Sequence, residues 1–165
     1  MSHAWVQAAS RRGRTMSDEP MARCEFESRK LLVRLHFTIR ADVKAISPVV
    51  GGVMKIVQEM ECAEGKEFEI ETALREALAN AIKHGCQNDF SRMVECCVAC
   101  DESRGMLIVV RDPGPGFDPA SLPSPIHGQN VFAEHGRGIY LINQLMDEVE
   151  VKLERGGTEI HMRKY

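Results

Sequence analysis

The stretch E-T-A-L-R-E-A-L-A-N-A-I-K-H-G, Glu71–Gly85, decides how the rest of the chain is interpreted. At about 100° of turn per residue, a helix here collects its apolar residues on one side: Ile70, Ala73, Leu74, Ala77, Leu78, Ala81 and Ile82. Glu76, Asn80 and Lys83 fall together on the opposite side. A carboxylate, an amide oxygen and an ammonium group one turn apart can serve as general base, metal ligand and phosphate contact. Taken alone, the stripe also fits the solvated face of an amphipathic helix.

The composition excludes several classes of protein. With 165 residues, of which 44% are hydrophobic and 27% charged, the chain suits one globular domain. A net charge of −3 argues against nucleic acid as an obligatory partner. No run approaches the roughly 18 apolar residues of a membrane span, and the amino terminus lacks the apolar segment of a signal peptide. We therefore expect a cytoplasmic protein with neither a direct nucleic-acid nor a membrane partner.

The cysteines are interpreted as packing residues. There are six of them: Cys24, Cys62, Cys86, Cys96, Cys97 and Cys100. They do not form two pairs with the spacing of metal ligands. Cys97 and Cys100 could be half of a zinc site, but they lie in a strand-like run with no second pair. A reducing cytoplasm also disfavours disulfides.

The order of elements begins after residues 1–30, which show little apolar periodicity and are predicted to be a mobile tail before an ordered domain at 31–165. Leu31–Arg40 alternates between apolar and polar residues and predicts a half-buried strand. Asp42 can cap a helix from Val43 to about Glu61. A loop then leads into the helix of the opening stretch, which Gly85 is expected to end in left-handed geometry.

Alternation also predicts two β-hairpins near the end of the chain. Their strands are Met93–Cys100 with Met106–Arg111, and Glu148–Glu154 with Thr158–Met162. Polar and glycine-rich turns separate the strands of each pair, so a sheet is expected to carry both hairpins.

Three glycine motifs accompany these elements. Asp112-Pro113-Gly114-Pro115-Gly116 follows a strand directly, Gly136-Arg137-Gly138 precedes a helical pattern, and Gly156-Gly157-Thr158 lies in the last hairpin. Between the first two motifs, residues 118–135 form a long irregular segment, which in a compact domain is usually functional or mobile. Each motif alone is often only a turn or a cap, but glycines before a helix also expose backbone N–H groups to an anion.

The succession of these motifs resembles the histidine-kinase-like ATPase superfamily over Leu31–Tyr165. The order is a helix with E-x-x-x-N, a strand ending in D-x-G-x-G, a loop, G-x-G opening a helix, and a final G-G-T turn. The resemblance implies ATP and Mg²⁺ as cofactors. We expect a two-layer α/β sandwich in which helices cover one face of a mixed, mostly antiparallel sheet.

The resemblance also implies a role for each motif residue. Asn80 resembles the Mg²⁺ ligand, Asp112 the carboxylate that accepts the adenine amino group, and Thr158 a threonine that helps to hold adenine. The implied backbone contacts lie beside the nucleotide at Gly114 and Gly116, and beside the phosphates at Gly136 and Gly138. Lys83 is a less specific match to a basic phosphate contact. Arg137 is either a contact to the γ-phosphate or an ordinary surface arginine.

Within the superfamily, the chain is similar to the stand-alone anti-sigma-factor serine kinases. It lacks a phosphoacceptor segment of sensor histidine kinases, and Glu76 lies four residues before Asn80. The resemblance implies a kinase that binds a sigma factor and phosphorylates a serine or threonine of an anti-anti-sigma (STAS-type) antagonist, with Glu76 as the catalytic base. Homodimers are common among such kinases, although no interface can be identified from this sequence.

Two other functions fit the same motifs. One is a nucleotide-sensing regulatory module that captures a partner without phosphorylating it. The other is an ATP-hydrolysing switch of the same fold, which would turn over ATP without a protein substrate. Glu76 distinguishes the first from a kinase, because a non-enzymatic binder needs no base at that position.

Overall fold

The computed structural model describes residues 31–115, 137–154 and 156–165. Its strands are β1 (Leu31–Arg40), β2 (Met93–Asp101), β3 (Gly105–Asp112), β4 (Glu148–Glu154) and β5 (Gly157–Lys164). Its α-helices are α1 (Ile46–Glu59), α2 (Glu67–Asn80) and α3 (Arg137–Leu145). A 3₁₀ turn, Val43–Ala45, precedes α1, and a π-helical turn, Ala81–Gly85, continues α2.

The strands form one five-stranded sheet in the order β1-β2-β3-β5-β4. Within the described residues, every neighbouring pair is antiparallel, which refines the expected mixed sheet. The turn between β2 and β3 uses Asp101, whose Oδ1 accepts hydrogen bonds from the backbone N–H groups of Ser103 and Arg104 at 2.9 and 3.0 Å. Gly105 supplies the positive φ of 69° that the turn requires. Both predicted hairpins are present in the sheet.

The helices cover one face of this sheet, as a two-layer α+β fold requires. The apolar side of α2, including Leu74 and Leu78, is fully buried in the main core, as is Ile82 of the π-helical turn that follows it. Alternate residues of the strands, including Val98 and Ile108, pack against the helices in the same core. α2 packs against both α1 and α3, so it lies at the centre of the helical layer, and the expected fold class is confirmed.

The helix of the opening stretch differs from its prediction at both ends. It begins at Glu67, and its α-helical part ends at Asn80, where the wider π-helical turn takes over. The N–H of Cys86 donates to the carbonyl of Ala81 at 2.7 Å, five residues back. The expectation that Gly85 ends the helix in left-handed geometry is wrong, because Gln87 and Asn88 have the positive φ values there, both 56°.

The cysteines divide into two groups. Cys86 and Cys96 are fully buried free thiols, which confirms packing for these two. The expectation of no disulfides is wrong for Cys62 and Cys100, which are bonded although 38 residues separate them. The loop after α1 passes the end of β2, which brings their Cα atoms within 6.0 Å, and this tertiary contact leaves no signal in the local sequence.

Several predictions fall outside the described residues. These are the mobile tail at 1–30, the irregular segment at 118–135, and the positions of Gly116 and Gly136. Nor is the side chain of Arg137 described, although its backbone begins α3. Across 31–115, 137–154 and 156–165, no helix is long and apolar enough to cross a membrane.

Candidate functional site

One end of the candidate site is built around Asp112, the last residue of β3. Its side chain is only 7% exposed, and its Oδ1 accepts a hydrogen bond from the N–H of Gly114 at 2.8 Å. Thr158, the second residue of β5, lies directly opposite Asp112 in the ladder and is 1% exposed. The last hairpin therefore places the Thr158 hydroxyl beside the buried carboxylate of Asp112. Oδ2 of Asp112 can accept a further hydrogen bond.

Three glycines let the backbone close around Asp112. A Cβ on Gly85 would overlap the carboxyl group of Asp112, and a Cβ on Gly157 would overlap the carbonyl oxygen of Asp112. A Cβ on Gly114 would lie 2.6 Å from the carbonyl oxygen of Gly85. None of the three has a positive φ, so close approach rather than backbone conformation requires glycine here. The π-helical turn, β3 and β5 therefore interlock at this point.

The environment of Asp112 changes its acidity. Burial raises the pKa of this carboxyl above its ordinary value, while the N–H of Gly114 and the charge of Arg111 act in the opposite direction. Beneath it, burial and the Asp112 charge raise the pKa of the Cys86 thiol. The thiol is therefore inert packing at neutral pH, and the carboxylate is a desolvated acceptor that gains from any hydrogen-bond donor brought to it.

The other end of the site lies where α2 meets the beginning of α3. A Cβ on Gly138 would lie 2.7 Å from Nδ2 of Asn80 and 3.0 Å from Oε2 of Glu76. Both side chains are half-buried, and Gly138 itself is buried. An acid and an amide on successive turns of α2 are thus packed against the first turn of α3, whose N–H groups favour an anion.

Lys83 is not aligned with Glu76 and Asn80 as α-helical spacing predicts. It lies in the π-helical turn, so the three-residue spacing that would stack it beside Asn80 no longer applies, and its side chain is exposed. Nearby, Nη1 of Arg92 donates to the carbonyl of Gly85 at 3.4 Å, which ties this turn to the segment before β2.

The structure therefore brings together most of the predicted site residues as two groups. Asp112, Gly114 and Thr158 form one, and Glu76, Asn80 and Gly138 form the other. Sequence reasoning missed the steric roles of Gly85 and Gly157. The only signal for them was glycine itself, at positions that read equally well as a helix end and a hairpin turn.

The donor set fits a nucleotide better than a metal held by protein alone. In the described parts of the chain, no group of three or more His, Cys, Asp or Glu residues could hold a metal ion. Mg²⁺ commonly takes only one or two protein oxygens beside water and substrate phosphates, so Asn80 with Glu76 nearby is sufficient. The zinc alternative at Cys97 and Cys100 fails for a geometric reason. Side chains alternate between the two faces along β2, and these residues are three positions apart, so their side chains lie on opposite faces of the sheet.

A buried carboxylate lies at one end of the site, and at the other end the N-terminus of α3 packs against an acid and an amide. With helices over one face of an antiparallel sheet, this arrangement suits a nucleotide-binding α+β domain. The model of the histidine kinase-like ATPase domain matches residues 39–164. The chain belongs to this family, and membership implies that ATP is the nucleotide it uses. The resemblance inferred from the motif order is therefore confirmed.

Curated relatives fall into two groups of named proteins. The chain is 33% identical over 103 residues to serine-protein kinase RsbW of Bacillus licheniformis, a match covering 59% of this chain and 63% of the relative. It is 37% identical over 100 residues to serine-protein kinase RsbW of Staphylococcus epidermidis, covering 56% and 62%. It is 29% identical over 137 residues to the anti-sigma F factor of Geobacillus kaustophilus, covering 81% and 91%. The matches to the two kinases thus span less than two thirds of their length.

A solved structure supports the same fold. The RsbU and RsbW domains from Mycobacterium tuberculosis superpose with a TM-score of 0.54 at 19% identity, covering 80% of this chain and 32% of that one. At this identity the likeness shows the fold alone.

Proposed function

We propose that this protein is an ATP-dependent serine/threonine protein kinase that acts as an anti-sigma factor. The observation that carries the proposal is the contact of Gly138 with both Glu76 and Asn80, because it unites a candidate base, a candidate metal ligand and a helix N-terminus. The names of the relatives, serine-protein kinase and anti-sigma F factor, support the same activity and the same kind of partner.

Asp112 and Thr158 would hold the adenine. The desolvated Asp112 carboxylate accepts a hydrogen bond from the exocyclic amino group, and the Thr158 hydroxyl supports adenine directly or through water. Gly114, and by its motif position Gly116, let the backbone approach the base without a side-chain clash. Hypoxanthine, which presents a carbonyl where adenine has an amino group, would leave Asp112 facing an acceptor. This end should therefore select adenine over hypoxanthine and guanine nucleotides.

Asn80, Gly138 and Glu76 would hold the phosphates and the attacking group. The Asn80 side-chain oxygen would hold Mg²⁺, which when bound neutralises charge on the phosphate oxygens. The N–H group of Gly138 in the first turn of α3 and, by motif position, that of Gly136 before the helix would contact the phosphates, with Arg137 and Lys83 as further cations. Glu76 would orient the serine or threonine hydroxyl of the partner and accept its proton. Because phosphoryl-transfer transition states are loose, the position of the carboxylate matters more for that role than its strength as a base.

The proposed partners are a sigma factor, which the protein would bind, and an anti-anti-sigma antagonist of the STAS type, which it would phosphorylate. Phosphorylation of the antagonist would then decide whether the sigma factor is released or recaptured. We propose a cytoplasmic location, which suits these partners, and a homodimer as the working assembly.

The direct test is phosphate transfer from γ-labelled ATP with Mg²⁺ to a purified antagonist encoded beside this protein. We expect label on one serine or threonine of the antagonist. Glu76→Gln should slow labelling about 10²- to 10⁴-fold, the usual range for a lost general base. Glu59→Gln is the matched control, because Glu59 is an exposed glutamate on α1 whose contact is a 4.0 Å ion pair with Lys55.

The other outcomes separate the alternatives. Release of inorganic phosphate without labelled antagonist would replace the kinase by an ATP-hydrolysing switch. ATP binding without either product would leave a nucleotide-sensing module. Equal labelling by the wild type and Glu76→Gln would remove Glu76 from the mechanism.

A further inference from the structure

The disulfide between Cys62 and Cys100 joins two parts of the fold that α2 separates in the chain. Cys62 lies in the turn between α1 and α2, and Cys100 lies near the end of β2. Their Cα atoms are 6.0 Å apart, within the range that a disulfide spans without movement of the backbone. The helix that carries Glu76 and Asn80 therefore lies inside a covalent ring, which also contains the π-helical turn and most of β2.

The backbone hydrogen bonds of the turn that carries Cys62 tie it to α1 and to itself. The N–H of Cys62 donates to the carbonyl of Val57 at 3.1 Å, and the N–H of Lys66 donates to the carbonyl of Ala63 at 2.8 Å. Sγ of Cys100 lies 3.9 Å from the carbonyl oxygen of Cys62. The disulfide therefore adds a covalent tie between this turn and the sheet, beyond the hydrogen bonds that shape the turn itself.

The two bonded cysteines differ in exposure. Cys62 is half-buried in its turn, whereas Cys100 is only 2% exposed. A reagent in solution therefore reaches Cys62 first and finds Cys100 behind it. An accessible thiol with a second thiol within bonding range is a common arrangement of redox-sensitive cysteines. Cys86 and Cys96 lack this arrangement, because both are fully buried and burial raises the pKa of each thiol.

We propose that Cys62 and Cys100 form a reversible redox couple, in which Cys62 is the site that a peroxide oxidises and Cys100 is the resolving thiol. Hydrogen peroxide transfers one oxygen atom to the sulfur of Cys62, which becomes a sulfenic acid, and leaves as water. The Cys100 thiol then attacks this sulfur, so the S–S bond forms and the hydroxyl group departs with the thiol proton as a second water. A dithiol reverses the change, because it supplies two electrons and two protons to the pair and is itself oxidised to a disulfide.

The couple makes the stability of the domain depend on the redox state of its surroundings. The apolar side of α2, including Leu74 and Leu78, is buried in the main core, so the helix stays folded whether the bond is present or not. A disulfide acts mainly on the unfolded chain, whose freedom it restricts. Because proteolysis follows the population of the opened chain, the oxidised domain persists longer than the reduced one. The proposal does not depend on the kinase activity.

Peptide mapping of the full chain tests the pairing and the order of the two steps. The chain is reduced with dithiothreitol, freed of it and treated with hydrogen peroxide. We expect the tryptic peptide 56–66 to become linked to the peptide 93–104, in Cys96→Ser as in the wild type, but not in Cys100→Ser. In Cys100→Ser, dimedone should trap a sulfenic acid on Cys62, whereas Cys62→Ser should leave Cys100 unlabelled. No link in the wild type, or dimedone on Cys100 instead of Cys62, would overturn the proposal.

Urea unfolding of the oxidised and reduced forms tests the effect on stability. All proteins carry Cys24→Ser, so that the cysteines compared all lie in the described part of the chain, and each variant is compared with itself. We expect oxidation to lower the unfolding equilibrium constant by about 30- to 1,000-fold, as for a typical disulfide. The same factor should appear in Cys96→Ser and vanish in Cys62→Ser, and cleavage by thermolysin should slow in parallel. Equal stability of the two forms, or an equal difference in Cys62→Ser, would contradict a redox couple at this position.

Discussion

The two ends of the candidate site differ in how they are held. At the Asp112 end, three structural elements interlock through glycines, and the carboxylate is 7% exposed. At the Glu76 end, two half-buried side chains of α2 lie beside the first turn of α3. A preorganised, desolvated end suits ground-state binding, because its geometry and dehydration are already in place before the ligand arrives. An end shared by two helices suits steps that require a second protein to approach. We therefore expect affinity to depend on one end and phosphate transfer on the other.

The largest combined loss of stability and ATP affinity should follow Gly85→Ala. The new methyl group would overlap the Asp112 carboxyl, and overpacking of this kind costs about 1–3 kcal/mol, or up to about 100-fold in an equilibrium constant. Isothermal titration with an ATP analogue should show this loss, and urea unfolding should show reduced stability. Gly52→Ala is the control, because nothing lies within 4 Å of a Cβ there. It should raise the free energy of unfolding by up to about 1 kcal/mol and leave ATP affinity unchanged.

Asp112→Asn should weaken ATP binding without lowering the stability of the fold. Losing a charged hydrogen bond to adenine should weaken ATP binding by about 1.5–3 kcal/mol, roughly 10- to 100-fold. The asparagine Oδ1 can still accept from Gly114, and an ionised group no longer has to be buried, so the fold should be as stable as the wild type or more so at pH 7. A clear fall in the unfolding free energy would contradict the view that the carboxylate is kept for binding.

The raised pKa of Asp112 predicts opposite pH trends for binding and stability. The folded state holds the Asp112 proton more tightly than the unfolded state, so this group's contribution to stability falls as pH rises from the ordinary aspartate pKa through the raised one. ATP needs the carboxylate as an acceptor, so affinity should fall as pH drops through the same raised pKa. Titrations between pH 7 and pH 4.5 check this, with Asp112→Asn as the control that should lack the affinity change. Equal pH dependence in both proteins would contradict it.

The smallest effect should come from Lys83→Ala. Lys83 is exposed and lies beyond the α-helical part of α2, so a solvent-screened phosphate contact should contribute at most about 1 kcal/mol, or fivefold. The effect should shrink further in 0.5 M salt. A loss of more than tenfold in transfer rate would show that the π-helical turn brings Lys83 onto the phosphates after all.

The sequence predicted the fold and the order of the site well, because both depend on local signals. Alternation marked β1 and β4 at their observed bounds, and helical periodicity identified the buried side of α2. Features that depend on steric fit or on long-range contacts were not predicted from the sequence. The π-helical turn has no distinctive composition, the approach of Gly85 to Asp112 depends on how β3 packs against that turn, and the Cys62–Cys100 bond joins residues 38 apart. The burial of Leu107 and Val109 was hidden as well, since a run of apolar residues in a strand does not reveal what covers its second face.

The measurement closest to the central claim compares two variants in two assays. The dissociation constant for ATP and the single-turnover rate of phosphate transfer to the antagonist would be measured for Asp112→Asn and for Glu76→Gln. We predict that Asp112→Asn loses affinity while keeping most of the rate at saturating ATP, and that Glu76→Gln keeps ATP affinity within about threefold but loses 10²-fold or more in rate. Parallel losses of both quantities in both variants would contradict a site divided into a binding end and a transfer end.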